Sequence, residues 1–203
     1  AQIGQMLIEK MGRIPAVTHI SSEFRNNDIV INPKAIYLAV SQSGETADTI
    51  SAIKEIKLKG GQVFGVVNVV GSTIARLCGK GVYIHSGPEQ SVASTKAFTN
   101  MVAALTIFAT QLGRTRHLSK DEGRELMHAL QQTPHLMETY LEDIGPIDEA
   151  VNLLCEADSV LFLGRGLSAT VAKEGALKLM ELAYIPCLAY PAGEMKHGPI
   201  ALL

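Results

Sequence analysis

Hydrophobic positions recur along this chain in two rhythms, and the rhythms alternate. Residues 2–12 place Ile3, Met6, Leu7, Ile8 and Met11 at helical spacing. Residues 16–20 follow Pro15 and predict a short strand. Residues 35–40 form an almost unbroken apolar run, as expected of a strand covered on both faces in a parallel sheet. A helix over 46–59 stops at Gly60-Gly61, and 63–70 is a β-branched strand. A short helix over 72–77 and a strand over 81–85 continue the alternation, which predicts an open parallel sheet. Residues 92–113 read as one long, mostly apolar helix, and 114–122 as a polar linker. Amphipathic helices are expected across 120–156, then a strand at 160–163, a glycine turn and a helix over 169–184. The fold class is therefore α/β: a three-layer α-β-α unit with a parallel sheet, followed by the start of a second such unit.

The two units carry a common register. Shifted by 171 positions, Gly4 meets Gly175, and Ile14-Pro15 meets Ile185-Pro186. Glu23 meets Glu194, Arg25 meets Lys196, and Met6, Ile8, Met11 and Val17 meet Leu177, Leu179, Leu182 and Leu188. A tandem duplication is expected, with residues 1–113 as a first domain lacking its opening strand. Residues 114–156 would be a helical connection, and 157–203 a truncated second domain. The chain opens on Ala1 inside a helix, so it reads as an excerpt of a longer protein.

Composition excludes several classes. A length of 203 residues with 47% apolar content supports a proper core, and a net charge of −2 with no basic block argues against nucleic acid. No apolar run is long enough to span a bilayer, and no signal peptide is visible. Cys78, Cys155 and Cys187 are odd in number and form no C-x-x-C pair, so neither a zinc site nor a disulfide framework is indicated. Free thiols in a reducing cytoplasm are the expectation.

Four stretches carry candidate chemistry. Ser41-Gln42-Ser43-Gly44-Glu45-Thr46 lies where a strand hands over to a helix. Hydroxyls and a glycine at a helix N-terminus suit a phosphate monoester, because free N–H groups and the macrodipole both favour an anion there. The plainer alternative is a helix cap by Ser43 or Thr46, with Glu45 at hand, but capping needs one hydroxyl. No lysine of a nucleotide loop and no G-x-G-x-x-G accompany it, so a small phosphorylated metabolite fits better than a nucleotide. Glu174, Lys178 and Glu181 share one face of a helix whose remaining positions are mostly apolar or small and which is expected to be largely buried. They make either an acid–base device or a structural Glu–Lys–Glu ladder. His197 sits in the Gly-bounded turn 193–199, where it suits proton transfer or is an ordinary loop histidine. Residues 86–96 lead into the long helix with Ser91, Ser94 and Thr95 near its start, either a second hydroxyl-rich crevice wall or a simple cap. His19, His85, His117, His128 and His135 are given no role.

These segments in this order resemble the isomerase part of the glutamine–fructose-6-phosphate aminotransferase (glucosamine-6-phosphate synthase) family, built from two tandem sugar isomerase (SIS) domains. The resemblance rests on Ser21-Ser22-Glu23-Phe24-Arg25, the Ser41–Thr49 stretch and Val92-Ala93-Ser94-Thr95-Lys96-Ala97-Phe98. It continues through Gly164-Arg165-Gly166, Glu174-Gly175-Ala176-Leu177-Lys178 and Gly193-Glu194-Met195-Lys196-His197-Gly198-Pro199. It implies that Ser41, Gln42, Ser43 and Thr46 hold the phosphate of fructose 6-phosphate and that Val92 and Ser94 line the sugar site. Glu181 would shuttle the proton between C1 and C2, Lys178 would steady developing charge, and His197 would assist ring opening in the neighbouring subunit of a homodimer. No metal or organic cofactor is implied. An amidotransferase domain would supply ammonia in the full-length protein, and a cytoplasmic location is implied. The family's Gly-Thr-Ser turn and its C-terminal lysine tail would fall outside the chain, so the excerpt alone is expected to be inactive. Other phosphosugar isomerases or deglycases, and a non-catalytic sugar-phosphate sensor, remain the rival readings.

Overall fold

A computed structural model describes residues 1–202, with Leu202 described by its backbone alone; Leu203, the last residue of the expected second domain, lies outside the described residues. The chain divides into two compact units, Ala1–Leu118 and Ser119 onward.

The first unit is built on three parallel strands in the order β1-β2-β3: β1 (Ile36–Ser41), β2 (Gln62–Val67) and β3 (Gly81–Tyr83). Helix α1 (Gln2–Leu7) runs on through a wider turn at Ile8–Gly12, and α2 (Ser21–Phe24) precedes β1. Helix α3 (Ala47–Leu58) connects β1 to β2, α4 (Thr73–Cys78) connects β2 to β3, and α5 (Lys96–Arg114) follows. Alternation along β2 explains the layers. Val63 and Val67 face one side and pack with Ile53, Ile56 and Ile74 of α3 and α4. Val66, of opposite parity, is also buried, and α5 lies against β2 and against α1. Ile53 and Ile74 are essentially inaccessible, each worth about 1.5–3 kcal/mol of transfer free energy. Gly4 lets α1 approach α5, because a Cβ there would stand 2.8 Å from the Leu105 side chain.

The second unit begins with α6 (Lys120–Glu142) and α7 (Gly145–Leu154), and continues as β4 (Val160–Gly164), α8 (Leu167–Ala183) and β5 (Cys187–Pro191). Strands β4 and β5 pair in parallel, Val160 opposite Cys187 through Gly164 opposite Pro191. Two short stretches of tighter helix follow, Ala192–His197 and Pro199–Leu202.

Parallel strands with connecting helices are thus the observed class, and four expectations need correction. Residues 16–20 are not a strand: they have no ladder partner among the described residues, and Val17 and Ile20 are exposed. The long helix begins at Lys96 rather than residue 92, because residues 86–95 fold as a pinned loop. The polar linker is shorter than expected. The Ser119 hydroxyl accepts from the Glu122 N–H at 3.2 Å and the Glu122 carboxylate accepts from the Ser119 N–H at 2.7 Å, a capping box that starts α6 at Lys120, the expected start of the helices, and leaves only 115–119 between α5 and α6. Helix α8 is not largely buried. Only Ala172 and Ala176 are, while Val171, Leu177 and Leu182 are exposed, since its inner face has two strands to cover it.

The 171-residue register has a backbone counterpart. Helix α1 and its extension end at Arg13 with φ 50°, and α8 ends at Tyr184 with φ 58°, both left-handed. Non-glycine residues adopt that conformation rarely.

Candidate functional site

The carboxyl ends of β1, β2 and β3 open into a shared cleft of about 430 Å³, lined by Gln42, Asn68, Val69, Val70, His85, Gly87 and Pro88. Ligands of open parallel sheets bind at this end of the strands. Ser41 is the last residue of β1, and Gln42, Ser43 and Thr46 form the turn from it into α3.

That turn is held by its own hydroxyls and by α4. The buried Ser41 Oγ accepts from the Gly44 N–H at 3.1 Å and lies 3.4 Å from Thr46 Oγ1. The Ser43 Oγ accepts from the Glu45 N–H at 3.2 Å. Gly44 is left-handed with φ 68°, and its carbonyl accepts from the Ile74 N–H at 2.9 Å. Only glycine fits here: a Cβ would stand 2.1 Å from Ser72 Oγ. Glu45 takes the Thr73 N–H at 2.7 Å, and this bond from the backbone, with Arg76 nearby, holds its carboxyl below the ordinary carboxylate range. The capping alternative therefore fails at both positions. Thr46 occupies the N-cap of α3 without a side-chain cap bond, and Glu45 is committed to α4 instead of a capping box.

The loop after β3 is pinned at both ends. Asn68, 7% exposed, accepts from the Ser86 N–H and donates to the Gly87 carbonyl, both at 2.8 Å. Asn100 donates to Ser86 Oγ at 2.8 Å. Farther on, Glu89 Oε1 accepts from Ser94 Oγ at 3.1 Å and from the Ala97 N–H at 2.9 Å. Val92 is exposed and Ser94 half-buried in this loop. Thr95, at the N-cap of α5, makes no side-chain cap bond, so the simple-cap reading of this segment fails too; Glu89 takes that place from the loop. Asn68 and His85 were missed from the sequence. Both stand just past strand ends level with Ser41, which was the available signal.

In the second unit, one face of α8 carries the ionisable row. Lys178 Nζ donates to Glu181 Oε2 at 2.7 Å and lies 3.4 Å from Glu174 Oε1. The three side chains are 21–29% exposed. Burial works against the Lys178 charge, but the Glu181 hydrogen bond and both carboxylates outweigh it and hold the ammonium above its usual pKa. The row is thus a carboxylate–ammonium–carboxylate array open to solvent along one edge. Such an array can move a proton or stabilise an alkoxide. His197 closes the turn after β5, exposed, and makes no hydrogen bond or ion pair with this row. Among the described residues, no cluster of His, Cys, Asp or Glu is placed to hold a metal ion, and no helix is long and apolar enough to cross a membrane.

Comparisons with known proteins bear on these features. The model of the SIS domain family matches residues 1–111 and 153–203. The chain is 45% identical over 201 residues to the glutamine–fructose-6-phosphate aminotransferase [isomerizing] of Thermus thermophilus, covering 98% of this chain and 33% of that protein. It is 46% identical to the enzyme of the same name from Chlorobaculum tepidum, with 99% and 33% covered. The chain therefore spans a third of the length of these relatives. The solved C-terminal domain of glucosamine-fructose-6-phosphate aminotransferase from Francisella tularensis superposes with a TM-score of 0.95 at 35% identity, covering 99% of this chain and 57% of that one.

Proposed function

Because the chain belongs to the SIS domain family, we propose that it is the sugar-phosphate isomerase part of a glutamine–fructose-6-phosphate aminotransferase. In this reading Ser41, Gln42, Ser43 and Thr46 grip the phosphate of fructose 6-phosphate, while Val92 and Ser94 line the sugar. The open-chain ketose condenses with ammonia at C2, releasing water and leaving an imine. Glu181 removes a C1 proton to give an enolamine and returns a proton to C2. The C1 hydroxyl proton is lost as the aldehyde forms, and the product is glucosamine 6-phosphate. Lys178 steadies the charge on oxygen, and His197 assists ring opening.

The reading extends to the assembly. Residues 1–113 and 157–203 belong to two tandem SIS domains joined by 114–156, in a cytoplasmic homodimer where His197 serves the neighbouring subunit's site. A separate amidotransferase domain supplies ammonia from glutamine.

The observation that carries the proposal is the Glu174–Lys178–Glu181 row, with its 2.7 Å Lys178–Glu181 bond. A module that only senses a sugar phosphate needs an anion pocket and no such array. The hydroxyl turn at the strand ends supports the substrate class, since its side chains are not consumed in capping α3.

The test is Glu181→Gln in the full-length protein, assayed for glucosamine 6-phosphate and for exchange of the C1 proton with deuterated water. Both should fall about 10³-fold, the middle of the range of general-base effects, with fructose 6-phosphate still bound. Near-normal exchange would remove Glu181 as the base. Binding without any exchange in the unmodified protein would favour the sensor.

A further inference from the structure

The hydroxyls of the Ser41–Thr46 turn and of the loop after β3 fall into two kinds, distinguished by what each does with its single proton. Ser41 Oγ accepts from the Gly44 N–H, and Ser43 Oγ accepts from the Glu45 N–H. A hydroxyl that has taken a backbone N–H still has its own proton to give, and of Ser41 Oγ and Thr46 Oγ1, 3.4 Å apart, whichever accepts from the other keeps its proton free. Ser94 is the reverse case. Its Oγ stands 3.1 Å from Glu89 Oε1, and a carboxylate has no proton to offer, so Ser94 is the donor. The same Oε1 takes the Ala97 N–H at 2.9 Å, which fixes the carboxylate at the start of α5. These two donors, the backbone one foremost, also hold the Glu89 carboxyl below its ordinary range, so it stays ionised at neutral pH.

We propose that Glu89 is a positioning residue: by taking the only proton of Ser94, it leaves that side chain as a hydrogen-bond acceptor alone, matched to a hydroxyl of the sugar and mismatched to the phosphate. The proposal rests on the reading that Ser94 lines the sugar site. A phosphate oxygen accepts and does not donate, so Ser94 could serve it only by breaking its bond to Glu89. A sugar hydroxyl can donate into the lone pairs that Ser94 keeps. The two walls of the site are thereby set with opposite polarity. Protons are available on the Ser41–Thr46 turn, and lone pairs are available on the loop after β3. This arrangement orients a ketose phosphate head to tail before any chemistry begins.

The experiment uses the full-length protein with Glu89→Ala, Glu89→Gln, Ser94→Ala and the Glu89→Ala/Ser94→Ala double variant. KM and kcat for fructose 6-phosphate, Ki for inorganic phosphate as a competitor, and Tm are measured for each. Glu89→Ala should raise KM roughly tenfold, the scale of one hydrogen bond, and leave the phosphate Ki within about twofold. Glu89→Gln, whose amide oxygen accepts the same two bonds, should restore KM to within about threefold of the parent. In the Ser94→Ala background, Glu89→Ala should change KM by less than about twofold, because the two act as one unit. Additive effects, or a phosphate Ki that rises in step with KM, overturn the proposal. If Ser94→Ala raises KM and Glu89→Ala does not, Glu89 fails while the reading of the site stands. If Ser94→Ala changes nothing, that reading fails and the proposal with it. Should Glu89→Ala not fold, mono-deoxyfluoro fructose 6-phosphates decide the matter on the parent and Ser94→Ala proteins. Fluorine cannot donate, so one ring position should show a penalty that vanishes in Ser94→Ala; no such position means no acceptor role.

Discussion

Gly44→Ala tests how the Ser41–Thr46 turn is held. The residue is left-handed at φ 68°, and the added methyl would lie 2.1 Å from Ser72 Oγ and 2.5 Å from Ser72 Cβ. Two costs follow. Placing alanine in the left-handed region costs about 1–2 kcal/mol. Forcing the methyl against Ser72 costs about 1–3 kcal/mol more, because Ser72 is 3% exposed and has little room to retreat. The sum is about 2–5 kcal/mol. At about 2–4 °C per kcal/mol for a chain of this size, Tm should fall by about 10 °C. Circular-dichroism melts of parent, Gly44→Ala, Ser72→Gly and the double variant give the measurement. On the Ser72→Gly background the steric part should vanish, leaving only the left-handed cost of about 1–2 kcal/mol. Sugar-phosphate affinity should fall with Gly44→Ala as well, since the turn must shift away from α4. A Tm drop under about 2 °C would refute the reasoning, as would a double-variant penalty as large as the single one.

Three further outcomes are expected. Ser43→Ala with Thr46→Ala should weaken fructose 6-phosphate binding by about ten- to a hundredfold in isothermal titration, with an unchanged melt; unaltered affinity removes the turn from the site. The Glu45 carboxyl titrates below its ordinary value, so its bond to the Thr73 N–H contributes fully above the ordinary carboxylate range and is lost as pH falls through the lowered value. Melts between about pH 2.5 and 7 should show an acid-side loss of Tm that Glu45→Gln lacks. Cys155 is exposed while Cys78 and Cys187 are buried, with desolvation raising both buried thiols, so a thiol reagent should label Cys155 well before the others in the native protein.

The parts legible from sequence were those governed by local periodicity. The apolar run ending at Val40, the glycine pair after α3 and the spacing of Glu174, Lys178 and Glu181 each carry their structure within a few residues. What escaped depends on partners distant in the chain. Residues 16–20 have strand composition, but a strand needs a neighbour to pair with. Val92-Ala93-Ser94-Thr95 has the apolar content of a helix start, yet Asn68, Asn100 and Glu89 hold the preceding segment as a loop. Glu45 stood beside two hydroxyls as if to box a cap, and the N-terminus of α4 claimed it from 28 positions away. Ser119 and Glu122 are the exception, a local capping signal present in the sequence and assigned to a linker. The roles expected of Val92 and Ser94 came from the family resemblance rather than from periodicity, and the structure adds that the Ser94 hydroxyl donates to Glu89.

The left-handed residues that end α1's extension and α8 share no side-chain chemistry, one being arginine and the other tyrosine. Their agreement belongs to the path of the chain, which must turn sharply at both places after its helix. The register offset by 171 positions thus shows in backbone conformation at a pair of positions where the residue types differ. Arg13 and Tyr184 are also the two positions where a designer could install glycine and relieve the same backbone constraint after each helix.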